Sequence, residues 1–420
     1  MRRLWVLSSL ALVTAFGGAR AQSPPVASAV PGDSALPPDL LLLARIKVRV
    51  AQILDRQPNY TCVQTVERSR QKSASRKFEL VDVLRLEVAL VDGKEMFAWP
   101  GSRQFQETEL RNLVTSGTIG NGNFALHARA VFLTHAPTYT YRGEEMLNGR
   151  RAHRFDYEVK RLTSGYSIRV NSVSGIAGFR GSFWADAETL DLLRLDVIAQ
   201  EIPPELPIRA SRDTMIYQRA RIGSAEFVLP ASSELVMEDL DGTISRNQIR
   251  FSDCRQYSGE SVLSFDDPPP DEAPRPPKRI LTLPAGLRFD LELLDPLDSA
   301  KAIIGTPVRA RLRGDLKRKG ELLLPKGTRV EGRIAGVDQE GDYVAIELLF
   351  ERFDAGYLEA PFHALTDAPN PVQPLSPGYI RVPVFERKPN RAVIHAPGKR
   401  LQIGAGYQMV WRTQDPPSAR

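Results

Sequence analysis

Cysteine and histidine are scarce, with two and five copies among 420 residues. That excludes a disulfide-dense scaffold and a metal cluster built on several thiolates. The histidines (His127, His135, His153, His363 and His395) are scattered, and no two have the His-x-x-x-His spacing that holds zinc on one helix face. No Gly-x-Ser-x-Gly elbow and no phosphate-cradling Walker loop occurs. Gly117-Thr118-Ile119-Gly120-Asn121-Gly122 is Gly-rich but does not open a helix after a strand, so it reads as a loop. These absences point to a non-enzymatic chain with no catalytic, cofactor-binding or metal residues. After the first residues no apolar run approaches the roughly 20 residues of a membrane-spanning helix. Excess charge is small as well. The +6 balance falls to +3 once Arg2, Arg3 and Arg20 leave with the leader, too little to imply a nucleic-acid partner.

What is present begins with that leader. Arg2 and Arg3 precede an apolar stretch, Leu4–Phe16, and Ala19-Arg20-Ala21 is a small-x-small cleavage site. Residues 1–21 therefore read as a secretory signal peptide, which places the mature chain in or beside the cell envelope, periplasmic or peripheral to it, without a transmembrane segment. Residues 22–37 (QSPPVASAVPGDSALP) read as a disordered lead-in. A second proline-rich stretch, Asp266–Arg279, has six prolines in fourteen residues and reads as a semi-rigid polyproline linker. Thr366–Gly378 reads as a loop. The expected organisation is a first domain at 38–265, the linker at 266–279, a second domain at 280–415 and a tail at 416–420.

The first domain opens on a helix with Asp39 as its expected N-cap and Leu43, Ile46, Val50, Ile53 and Leu54 on one face, stopped by Pro58. Asp92-Gly93, Asn148-Gly149 and Asp241-Gly242 each sit between alternating segments and predict hairpins. Gly181–Asp186 and Leu192–Ala199 predict two further strands, and Glu107–Val114 and Asn123–His135 short helices. A long meander with a few helices on one face predicts an α+β half-barrel, an antiparallel sheet over a few helices. The second domain has an internal echo. Leu283-Pro284-Ala285-Gly286-Leu287-Arg288-Phe289-Asp290 recurs as Leu324-Pro325-Lys326-Gly327-Thr328-Arg329-Val330-Glu331, and Gly404-Ala405-Gly406-Tyr407 is a weaker variant, as is Ser376-Pro377-Gly378-Tyr379. In each full copy Pro fixes φ, Gly permits a turn and an alternating strand follows. A mainly-β small barrel or sandwich is expected.

Tyr141–Arg150 (YRGEEMLNGR) and Phe183–Leu190 (FWADAETL) resemble the strand–turn–strand segments of the lipoprotein-carrier superfamily, the LolA/LolB-like half-barrels. Leu283-Pro284-Ala285-Gly286, Pro296-Leu297-Asp298-Ser299 and Leu324-Pro325-Lys326-Gly327 resemble the β-domain of the channel-forming component of type IV secretion systems. The first resemblance implies an envelope protein that binds a hydrophobic ligand, a lipid or a lipidated protein through its half-barrel. The second implies a structural or assembly component with an envelope partner. A hydrolase of envelope polymers is a third reading, with no residue constellation behind it.

Phe97, Trp99, Phe183 and Trp184 are the candidates for a concave apolar face, with core packing as the alternative. Arg309, Arg311 and Arg313 alternate with Val308, Ala310 and Leu312, so one strand face carries three guanidiniums. That face is either solvated or a patch for anionic polymers or head groups. Cys62 and Cys254 bracket the first domain, where first and last strands can approach each other, and export supplies the oxidant for a disulfide. The leader has a direct check: N-terminal sequencing of the exported protein should begin at Gln22, and an intact Met1 in the envelope fraction would contradict it.

Overall fold

The computed structural model describes residues 36–102, 110–114, 117–120, 122–170, 172–256, 279–340, 342–367 and 388–416. The leader, the lead-in before Leu36, the linker before Arg279, the repeat variant at Ser376–Tyr379 and most of the Thr366–Gly378 loop lie outside the described residues.

Helix α1 runs Pro38–Arg56 and buries Leu43, Ile46 and Val50. Its N-cap is Pro37, not Asp39: Pro38 supplies a preset φ at the first helical position, and Asp39 lies inside the first turn, where its charge favours the positive end of the helix dipole. Two short helices follow within the predicted segments, α2 at Leu110–Leu113 and α3 at Leu126–Phe132.

The N-terminal strands are β1 (Tyr60–Gln71), β2 (Glu79–Val91), β3 (Lys94–Ala98), β4 (Thr138–Leu147), β5 (Arg150–Val159) and β6 (Ser167–Val170). They continue as β7 (Val173–Ile176), β8 (Gly178–Asp186), β9 (Leu192–Gln200), β10 (Ile208–Ile222), β11 (Ala225–Asp239) and β12 (Ile244–Gln256). Ten of them form one antiparallel sheet in the order β3-β2-β1-β12-β11-β10-β9-β8-β5-β4. Each predicted Asp/Asn-Gly pair joins neighbouring strands. At Asp92-Gly93 and Asn148-Gly149 both turn residues have positive φ, as a tight two-residue hairpin requires.

The register puts the first strand beside the last. Cys62 on β1 and Cys254 on β12 are joined as a disulfide, with Cα atoms 4.1 Å apart. The pairing shifts by a residue between Thr61 and Val63, opposite Asp253 in a left-handed conformation, and this bulge turns the two cysteines toward each other. The bond closes a loop with a sequence separation of 192, worth up to roughly 5 kcal/mol on the chain-entropy model.

The inner face of β5, β8, β9 and β10 is covered by α1 and α3. Phe155 and Phe183 stack with centroids 5.2 Å apart, and Phe132 of α3 meets Phe183 edge-on at 4.8 Å. Asp191, buried in the β8–β9 turn, ties the helix down: one carboxylate oxygen accepts from Arg49 of α1 at 2.9 Å and the other from Arg219 of β10 at 2.6 Å. Asp186 organises the turn itself, accepting from the backbone N–H groups of Glu188 and Thr189 at 3.0 and 2.8 Å.

The C-terminal strands are β13 (Arg279–Ile280), β14 (Arg288–Leu293), β15 (Leu297–Asp298), β16 (Pro307–Leu312), β17 (Leu316–Arg318), β18 (Glu321–Leu324) and β19 (Arg329–Glu340). After them come β20 (Tyr343–Asp354), β21 (Leu358–Pro361), β22 (Ala364–Thr366), β23 (Arg391–Pro397), β24 (Gln402–Ile403) and β25 (Gln408–Thr413). The main sheet runs β13-β21-β20-β19-β16-β14-β25-β22, with β23 on β20. It curls shut through Asn390, whose backbone bonds to Phe350 of β20 and Ala364 of β22 at 2.9 and 2.7 Å. Phe289, Phe350, Phe353, Phe362 and Trp411 fill the interior. The repeated Leu-Pro-x-Gly segments behave alike: Gly286 and Gly327 both have positive φ, and each leads into a strand whose second residue, Phe289 or Val330, is buried.

One apolar cluster runs without a break from Leu84, Leu86 and Phe97 to Ile304, Val308 and Ile334. A protease site inserted between Pro270 and Asp271 therefore tests the junction. The cut halves should coelute under native conditions and separate when Gly305 is replaced by Val. Halves that separate without that substitution would show that the contact is too weak to hold them.

Candidate functional site

Strand β3 is much shorter than β2, so the first half of β2 has an unpaired edge. The chain at Ile304 fills it: Ile304 accepts from the Arg85 N–H at 2.9 Å and donates to the Val83 carbonyl at 2.8 Å. Gly305 follows with φ +94°, and a Cβ there would lie 2.4 Å from the Arg85 carbonyl and 2.6 Å from the Trp99 ring. No side chain fits.

Beside this bridge, the segment after β3 stands off from the outer face of β16, β19 and β20, leaving a cleft of about 840 Å³. Phe97, Trp99 and Leu113 line one wall, and Pro307, Arg333 and Leu349 the other. The last three are neighbours across the sheet, Pro307 opposite Arg333 and Arg333 opposite Leu349.

Arg333 is 7% exposed. Trp99 covers it, with the guanidinium carbon 5.4 Å from the ring centroid. Its Nη2 pairs with Glu351, while its buried Nη1 has no hydrogen-bond partner. Burial, and then the like charges of Arg352 and Arg391, push its pKa down to about 10. Those two arginines are committed elsewhere, Arg352 to Glu331 and Glu359 and Arg391 to Glu347. Glu351 lies where the β19–β20 register shifts, and its side chain is 43% exposed.

The four aromatic candidates divide. Trp99 lines the cleft, and Phe97 borders it as a buried member of the core cluster. Phe183 is fully buried as core beneath α3. Trp184 points to the opposite side of the sheet, where it lies between Arg154 and Arg194, 5.4 and 4.8 Å from its ring, and its indole N–H donates to Glu145. The open concave face expected of the half-barrel is filled by α1 and α3, because the apolar stripe of α1 needs burial and finds it there.

The arginine face is exposed, and each of its three side chains has a partner. Arg309 makes a two-pronged pair with Asp295, Arg311 with Glu292, and Arg313 donates to Gln408. Adjoining segments of the same chain supply one acceptor side chain for each, two carboxylates and one amide. Sequence reasoning missed Arg333 because its significance lies in burial. It also missed a buried polar group on the N-terminal sheet, where Asn123 donates to Asp213 at 2.8 Å and Ser233 at 2.9 Å, with His127 3.5 Å from Asp213. Among the described residues no three His, Cys, Asp or Glu side chains gather as a metal site needs, and no helix is long and apolar enough to cross a membrane.

No protein-family model and no curated protein matches the chain. Among solved structures it is similar to a DUF1329 family protein from Desulfovibrio piger, with 13% identity, a TM-score of 0.29, and 53% of this chain and 95% of that one covered. It is similar also to a putative outer membrane lipoprotein-sorting protein domain from Vibrio parahaemolyticus (12% identity, TM-score 0.31, 53% and 94% covered). A LolA superfamily protein from Nitrosomonas europaea is comparable, at 12% identity and a TM-score of 0.28 over 51% and 94% of the two chains.

If Trp99 shields Arg333, Trp99→Phe should shift acrylamide quenching and the emission maximum of the remaining tryptophans little, whereas Arg333→Met should shift the parent's Trp99 contribution measurably. Equal spectra for Arg333→Met and parent would contradict the stacking.

Proposed function

We propose that this is an exported, non-enzymatic binding protein that takes a hydrophobic or amphiphilic ligand, a lipid or the lipidated segment of a protein, in the cleft between its two sheets. The observation that carries the reading is the cleft itself. Its volume lies within the range of small-ligand sites, and its walls, with apolar side chains beside charged ones, come from both halves of the chain. Among the described residues the half-barrel's inner face is packed against α1 and α3. Export is supported by the leader and by a disulfide of the kind that persists in oxidising compartments.

Binding of an apolar fluorescent probe tests this directly. Trp99→Ala should weaken probe binding by about tenfold while leaving the fold intact, as expected for an aromatic anchor. Phe183→Ala should do the reverse, costing about 3–5 kcal/mol of stability with affinity unchanged for the folded fraction. Probe binding that follows Phe183 and ignores Trp99 would return the site to the half-barrel.

A further inference from the structure

We infer that the cleft selects amphiphiles bearing a single anionic head, carboxylate or phosphate, which binds Arg333 after displacing Glu351. This rests on the reading of the cleft as the ligand site and names the chemistry it would accept.

A guanidinium has five donors in a fixed fork, well matched to two acceptor oxygens. In Arg333 that fork is half used. Glu351 holds Nη2, Trp99 covers the π face, and Nη1 is buried without an acceptor. A buried donor left unpaired is costly, and a ligand that satisfies it gains what water cannot supply there. Glu351 is an exchangeable partner. Its side chain is 43% exposed and stands on an irregular stretch of strand, so it can turn into solvent at little desolvation cost. Arg333 cannot follow it, being 7% exposed.

The alternatives fit less well. A cationic head would meet Arg333 with Glu351 already spent. A neutral lipid offers Nη1 an acceptor oxygen but no charge to balance the guanidinium once Glu351 is displaced. An anionic polymer needs a row of free cations, yet Arg309, Arg352 and Arg391 are each paired with a carboxylate. One half-used fork beside the apolar side chains of Phe97, Trp99, Leu113, Pro307 and Leu349 suits one anionic group on one apolar chain.

The test uses the full mature chain and displacement of the apolar probe by dodecanoate, dodecyl phosphate and dodecanol above neutral pH. Both anions should compete at concentrations about tenfold or more below that of dodecanol. Arg333→Gln should erase that preference and leave dodecanol unchanged. Glu351→Gln, which keeps an amide oxygen as an acceptor for Nη2 and whose folding is checked by circular dichroism, should strengthen both anions by removing their charged competitor. A stronger effect of dodecyl phosphate points to a phospholipid-type head, and of dodecanoate to a fatty acid. Equal competition by all three in the parent, or weaker anion binding in Glu351→Gln, overturns the anion site while leaving the apolar cleft standing. If neither the probe nor any of the three binds, both readings fall together.

Discussion

Two backbone hydrogen bonds at Ile304 set the geometry on which the rest depends. An unpaired sheet edge is a liability, and here a segment of the same chain bridges the free half of β2 at Leu84. Gly305 makes the approach possible, because any side chain would strike the Arg85 carbonyl and the Trp99 ring. The bridge thereby fixes Trp99 against the outer face of the C-terminal sheet, over Arg333. Pairing of the two sheets at one edge, with a gap beside the bridge, produces the cleft. The cleft is a consequence of where β3 ends.

The N-terminal half is held by different means. The disulfide pins β1 to β12 inside the ten-stranded sheet, and Asp191 ties α1 to β10 through two arginines. With the helices in place, Phe132, Phe155 and Phe183 form a continuous aromatic core where a carrier's open face was expected. Such packing stabilises the fold and leaves the binding function to the edge of the sheet.

The hairpin turns were readable because Asp-Gly and Asn-Gly carry their own conformational demand, and Asp92, Asn148 and their glycines adopt it. The disulfide was readable from two cysteines bracketing a curled sheet. The Leu-Pro-x-Gly echo likewise announced two equivalent turns. The arginine stripe left two readings open because a strand shows its own alternation but not its neighbours: Glu292 and Asp295 lie far enough away in sequence that only the fold reveals them as partners. Phe97 and Trp99 were singled out as aromatics on a strand, whereas Arg333 carries no local signal at all. Its burial follows from Trp99, which is more than two hundred positions away and meets it only through the Ile304 bridge.

The central claim is that ligand enters between the two sheets and not beneath the helices of the half-barrel. Photocrosslinking with a diazirine-bearing fatty acid, followed by peptide mapping, decides the matter most directly. Label on the peptides containing Phe97–Ser102 and Pro307–Arg309, lost on competition with unlabelled dodecanoate, is the predicted result. Label concentrated on Leu43–Leu54 of α1 or on α3, with none at the junction, would contradict it.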